Sequence, residues 1–146
     1  MNAFDPRAIL FARHAQHVVL VHFPIAAFIT AVGFDYAAQW TKKSSLAAAA
    51  YFNFLIAAAA TVPVVVTGLA AWQWALEGQP LKGVLLLHLS FGVASGAMIL
   101  ASCWIQWRRR RLEAAALPVY RLPLEAVGVF VVMLTAHLGG VLAGVS

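Results

Sequence analysis

Four apolar stretches, at about 17–39, 46–76, 81–107 and 123–145, take up most of this 146-residue chain. Each is near or beyond the roughly 20 residues that cross a bilayer. In lipid an unpaired backbone group has no water to bond, so such stretches must be helices that satisfy their own backbone. Only 10% of the residues are charged, against roughly a quarter in a soluble domain. The pattern implies one all-α domain over 1–146, an integral membrane antiparallel four-helix bundle. The net charge of +5 is no sign of a nucleic-acid partner, because the basic residues lie in the seams between apolar runs, where membrane topology places them.

The seams set an orientation. Lys42, Lys43, Arg108 to Arg111 and Arg121 fall on one side. Arg7, Arg13 and Lys82 fall on the other, offset by Asp5 and Glu77. The side richer in lysine and arginine faces the cytoplasm, so both termini are expected outside, in the periplasm of a bacterial inner membrane. The start of the chain lacks the pattern of a cleaved signal peptide, and residues 8–15 read as a short interfacial helix. The single cysteine, Cys103, excludes an intrachain disulfide and reads as a packing residue. Pro24 and Pro63 each remove a helical donor and are expected to start or kink their helices. No internal repeat is evident.

The residues that invite chemistry are histidines. His22 lies roughly 7 Å into the first helix, His88 roughly 10 Å into the third and His137 roughly 12 Å from the outer end of the fourth, at about 1.5 Å per residue. His14 and His17 lie just above them. Small residues follow on the same faces: Gly92 and Gly96 below His88, Ala26 and Thr30 below His22, Gly140 and Gly144 beyond His137. Such stripes commonly mean close helix packing. The sharper expectation is a flat macrocycle beside them, with His22 and His88 on diagonal helices pointing inward to clamp its metal. His17 or His137 would then bond a haem propionate or a quinone oxygen. No fixed metal-binding spacing is present. Asp35 and Glu125 read as partners of Lys42 or Arg121, with a proton route through them as the alternative.

The segment H-x-x-x-V-H-F-P-I-A, His17 to Ala26, together with Asp35, Gly68, Trp72, His88 and H-L-G-G from His137 to Gly140, resembles a family of uncharacterised bacterial four-helix membrane proteins. The resemblance spans most of the chain. The family pattern has an acidic residue before the tryptophan, where this chain has Ala71. The fold is similar to that of the four-helix b-type cytochromes, which implies a haem role for His22 and His88. The expected function is that of a small b-type cytochrome subunit in a larger membrane complex, with haem b near the outer surface. It would pass electrons between a quinol and a periplasmic partner such as a cytochrome. The competing expectation is a cofactor-free accessory subunit that scaffolds an assembly and contacts only lipid and other membrane subunits. A copper-handling role would need methionine or cysteine ligands, which the outer layer lacks.

Overall fold

The computed structural model describes residues 15–74, 76–112 and 118–144. Arg7, Arg13, His14 and the expected interfacial helix, apart from the backbone of its last residue, lie outside the described residues, as does Val145. The described chain is all helical: α1 (Ala15–Leu20), α2 (His22–Thr41), α3 (Ser44–Trp74), α4 (Gly83–Arg111) and α5 (Arg121–Leu142). Four spans are long and apolar enough to cross a membrane, α1 with α2 counting as one. Successive spans run in opposite directions, and the main contacts go round a ring: α2 on α3, α3 on α4, α4 on α5, α5 on α2.

Local chemistry sets the breaks. Pro24 has no N–H for the Leu20 carbonyl and its ring crowds that carbonyl, so the first span is interrupted between Leu20 and His22. Pro63 does not end α3, which continues through it to Trp74. The proline leaves the Ala59 carbonyl without its helical donor, and one turn on, the Thr67 hydroxyl donates to the Pro63 carbonyl at 2.8 Å. Lys42 adopts the left-handed conformation, φ 58°, and its N–H caps the Ala38 carbonyl, turning the chain sharply into α3. The α3–α4 turn places Glu77 and Gly78 at positive φ, and the Trp72 indole donates to the Gln79 carbonyl at 2.9 Å. Helix α4 runs on through all four arginines, whose side chains can complement the negative end of the helix.

The core holds a repeat that residue identity conceals. An offset of 71 residues, the separation of His17 from His88, also carries Gly68 to Gly139. It carries buried Pro24, Phe28, Ala31 and Asp35 of α2 to buried Ser95, Ile99, Ser102 and Gln106 of α4. It carries buried Ala50, Phe54, Ala57 and Thr61 of α3 to buried Arg121, Glu125, Gly128 and Val132 of α5. Every buried position of α4 and α5 thus has a buried counterpart one hairpin earlier. The two hairpins run in the same sense and turn equivalent faces inward, as an approximate two-fold axis along the bundle would place them. The absence of a repeat expected from sequence is corrected here, because the halves share burial rather than residue type.

Candidate functional site

Those inward faces bring polar residues from three helices together at the end of the bundle that carries the basic loops. Asp35 on α2 lies 3% exposed, and Arg121, the first residue of α5, donates to it from Nε to Oδ2 at 2.8 Å. The guanidinium also reaches the Gln39 side-chain oxygen at 3.3 Å and the Pro118 carbonyl at 3.5 Å. The Tyr36 hydroxyl, one residue from Asp35, donates to the Leu122 carbonyl at 2.7 Å and ties α2 to α5 at this level. Glu125 follows Arg121 by four residues, so both lie on one face of α5. Ser102 and Gln106 have the same spacing on α4 and are the repeat counterparts of Ala31 and Asp35.

This cluster is incompletely satisfied. Glu125 is 1% exposed, and its carboxyl oxygens meet no donor among the described residues. The side chain lies within hydrogen-bonding reach of Asp35, a contact that needs a proton on one of the two carboxyls because carboxylates only accept. The Ser102 hydroxyl, the Gln106 amide nitrogen and the Arg109 Nε are likewise buried without partners among the described residues. Buried polar groups are nearly always bonded, and an isolated buried carboxylate is far costlier than a neutral acid. Glu125 also lies within electrostatic reach of both Asp35 and Arg121. The site therefore holds two carboxyl groups against one closely paired guanidinium. Next to it Phe28 and Phe54 meet edge to face, their centroids 5.9 Å apart. With Ile99 and Val132 they belong to the apolar core of the bundle.

Toward the other end of the bundle lie the histidines, and they do not form the expected clamp. His22 is exposed on the outside of α2. The buried face of α2 is set by Pro24, Phe28, Ala31 and Asp35, and His22 sits about 200° round the helix from Pro24 at 100° per residue. His137 is also exposed, because Val132 and Thr135 carry the inward face of α5. His88 contacts positions flanking His137: its Nδ1 lies 3.1 Å from the Thr135 carbonyl, and its ring packs where a methyl on Gly139 would come within 3.1 Å. These two histidines therefore share a level, but His137 turns away. His17 repeats the seat of His88 on the first hairpin. Its Nδ1 is 3.2 Å from the Val64 carbonyl and 3.3 Å from Thr67 Oγ1, and its ring lies over Gly68. A carbonyl can only accept, so Nδ1 carries the proton in both rings.

The glycine stripe is not a slot. A methyl on Gly92 would meet Thr135 at 3.9 Å, and one on Gly96 would meet Thr61 at 3.5 Å. Neighbouring threonines already occupy the space, as in close helix packing. Ser95 and Thr135 join at 2.8 Å just below His88. Among the described residues no group of three or more His, Cys, Asp and Glu is placed to hold a metal ion. With His22 turned outward and the stripe filled, the residues expected to seat haem between His22 and His88 do not fit it within this bundle.

Of the residues singled out from sequence, Asp35 and Arg121 do pair, whereas Glu125 has no donor among the described residues. Gln39, Ser102 and Gln106 were missed. Their signal was present in the polar pair Ser102 and Gln106, spaced by four inside an apolar run, which marks one helix face as polar.

A family model described as "Predicted membrane protein (DUF2231)" matches residues 13–145. No curated protein and no solved structure matches the chain.

Proposed function

Since the chain belongs to the DUF2231 family of predicted membrane proteins, we propose that it is a multi-pass, proton-handling subunit of a larger assembly in the bacterial inner membrane. Its proton site is Glu125. The observation that carries this reading is a carboxyl group, 1% exposed and without a donor among the described residues, within hydrogen-bonding reach of a second carboxyl that is already paired with Arg121. Intramembrane ionisable groups mark proton and ion pathways more often than fold-supporting pairs alone would suggest. A proton on Glu125 removes a buried charge and supplies an O–H donor, which can face Asp35. Glu125 is the group that gains and loses the proton. Asp35 and Arg121 are positioning residues that set the charge around it. With the basic loops on the cytoplasmic side, the site lies nearer the cytoplasmic end of the bundle, and the histidines lie nearer the other end.

Infrared spectroscopy of the purified full chain tests this. At neutral pH the expected result is the carbonyl stretch of a protonated carboxyl, sensitive to deuterium exchange, that fades as pH rises. Glu125→Gln should remove the band. Asp35→Asn, which takes away the neighbouring negative charge and frees the Arg121 guanidinium, should make the band fade at lower pH than in the wild type. A wild-type spectrum without the band, or a Glu125→Gln spectrum that retains it, would overturn the proposal.

The electron-transfer reading keeps one supporting observation. With Nδ1–H given to the Thr135 carbonyl, His88 Nε2 is left as a lone-pair acceptor with no protein partner among the described residues. Anchoring through one ring nitrogen is how proteins orient an imidazole for a ligand at the other, and a quinol hydroxyl is a suitable donor to it. Two measurements address this reading. Reduced-minus-oxidised spectra of protein made with ample haem report haem b directly. Quinol binding should weaken about tenfold in His88→Ala, as loss of a hydrogen bond of roughly 1.4 kcal/mol implies; unchanged binding would remove the quinol site.

A further inference from the structure

At the basic end, on the outer surface of α4, two open grooves share Trp104 and Trp107. The larger one, about 560 Å³, lies against α3, is almost wholly apolar and is lined by Leu55, Leu100, Cys103, Trp104 and Trp107. The other, about 490 Å³, continues from the same two tryptophans to Arg108, Arg111 and Leu112. Trp104 and Trp107 stack at 5.0 Å, and the Arg111 guanidinium lies 5.4 Å from the Trp107 ring centre. Arg108 and Arg111 make no salt bridge among the described residues, where the one ion pair is Arg121 with Asp35. Arg110 points elsewhere, over Tyr51 at 4.0 Å.

We infer that these joined grooves bind one anionic phospholipid, its acyl chain along Leu100, Cys103 and Trp104 and its phosphate between Arg108 and Arg111. Charge complementarity selects the occupant. An apolar trough, roughly 12 Å long along the helix from Leu100 to Arg108 at about 1.5 Å per residue, ends in two cations without counter-ions among the described residues. Tryptophan belongs at that depth, where the hydrocarbon meets the headgroups. Juxtamembrane arginines attract anionic headgroups in any case. The trough adds a seat for the chain, so binding here is stoichiometric and selective rather than diffuse.

Native mass spectrometry of the full chain in mild non-ionic detergent tests the inference, with phosphatidylglycerol and phosphatidylcholine as probes. One phosphatidylglycerol per chain should be retained, at least tenfold more tightly than phosphatidylcholine. The double variant R108Q/R111Q should lose that preference, while R110Q, whose arginine lies over Tyr51, should keep it. Cys103→Phe, which fills the trough and leaves the arginines, should weaken retention about tenfold. Soluble glycerol phosphate should not displace the lipid; displacement would show a phosphate site without a lipid seat and overturn the inference. Equal retention of the two lipids, or a double variant that binds like the wild type, would also overturn it. So would phosphatidylglycerol bound only in variable, non-stoichiometric numbers.

Discussion

Replacing Arg121 with methionine is expected to lower the stability of the bundle by about 3–5 kcal/mol, the usual consequence of removing one partner of a buried ion pair. The guanidinium is buried, its Nε bonds Asp35 at 2.8 Å, and Nη2 reaches Gln39. Without it Asp35 loses the one counter-charge it has among the described residues, with the Glu125 carboxyl alongside. The penalty comes chiefly from the uncompensated carboxyl rather than from the lost attraction. That makes the effect reversible by a second change. Asp35→Leu in the Arg121→Met background should recover most of the loss, since replacing a whole buried pair by apolar residues of similar size is commonly neutral or better. Unfolding in mixed detergent and denaturant micelles, followed by tryptophan fluorescence, gives both numbers. A loss below about 1 kcal/mol for Arg121→Met, as for a surface pair, would mean that the pair is wet in the membrane.

The second large effect is expected at Gly128. A methyl there would lie 2.9 Å from Phe28 Cζ and 3.1 Å from Cε1. Phe28 is fully buried and held edge-on against Phe54, so its ring has little room to retreat. Gly128→Ala should therefore destabilise by about 1–3 kcal/mol, the range for overpacking a filled core, although alanine is ordinarily the better helix former by about 1 kcal/mol. The repeat explains the contrast. Ala57 holds the counterpart position on α3, and the counterpart of Phe28 is the smaller Ile99, both in the core. Phe28→Leu combined with Gly128→Ala should be more stable than Gly128→Ala alone. If the double variant is no better, strain at Phe28 is not the cause. Thermal unfolding of the wild type, Phe28→Leu, Gly128→Ala and the double variant in one detergent decides this.

Much of the fold was legible from residues alone. Long apolar runs, with lysine and arginine confined to the seams, leave a membrane chain no backbone solution but helices, and four of them in antiparallel order. Pro24 and the small residues spaced by four along α4 were also legible as a helix break and a packing stripe. What the linear pattern could not supply was the inward face of each helix. In a soluble helix, water sorts polar from apolar faces. Here the spans are apolar nearly all the way round, lipid tails are as apolar as the core, and close approach of small side chains decides which face is inward. That approach is a property of pairs far apart in sequence. Phe28 needs Gly128, His88 needs Gly139, and Thr61 and Thr135 fill the spaces beside Gly96 and Gly92. Once those contacts set the rotation of each helix, His22 and His137 are carried outward, away from the clamp that their depth had suggested. The same rotation brings Asp35, Ser102, Gln106, Arg121 and Glu125 to the inside. Asp35 and Arg121 stand 86 residues apart, and only the packing of α5 against α2 makes them neighbours. The sequence by itself determined how many times the chain can cross the membrane and where its charges stop it. Helix packing alone decided which polar groups share the interior, because in an apolar solvent only contact between helices distinguishes inside from outside.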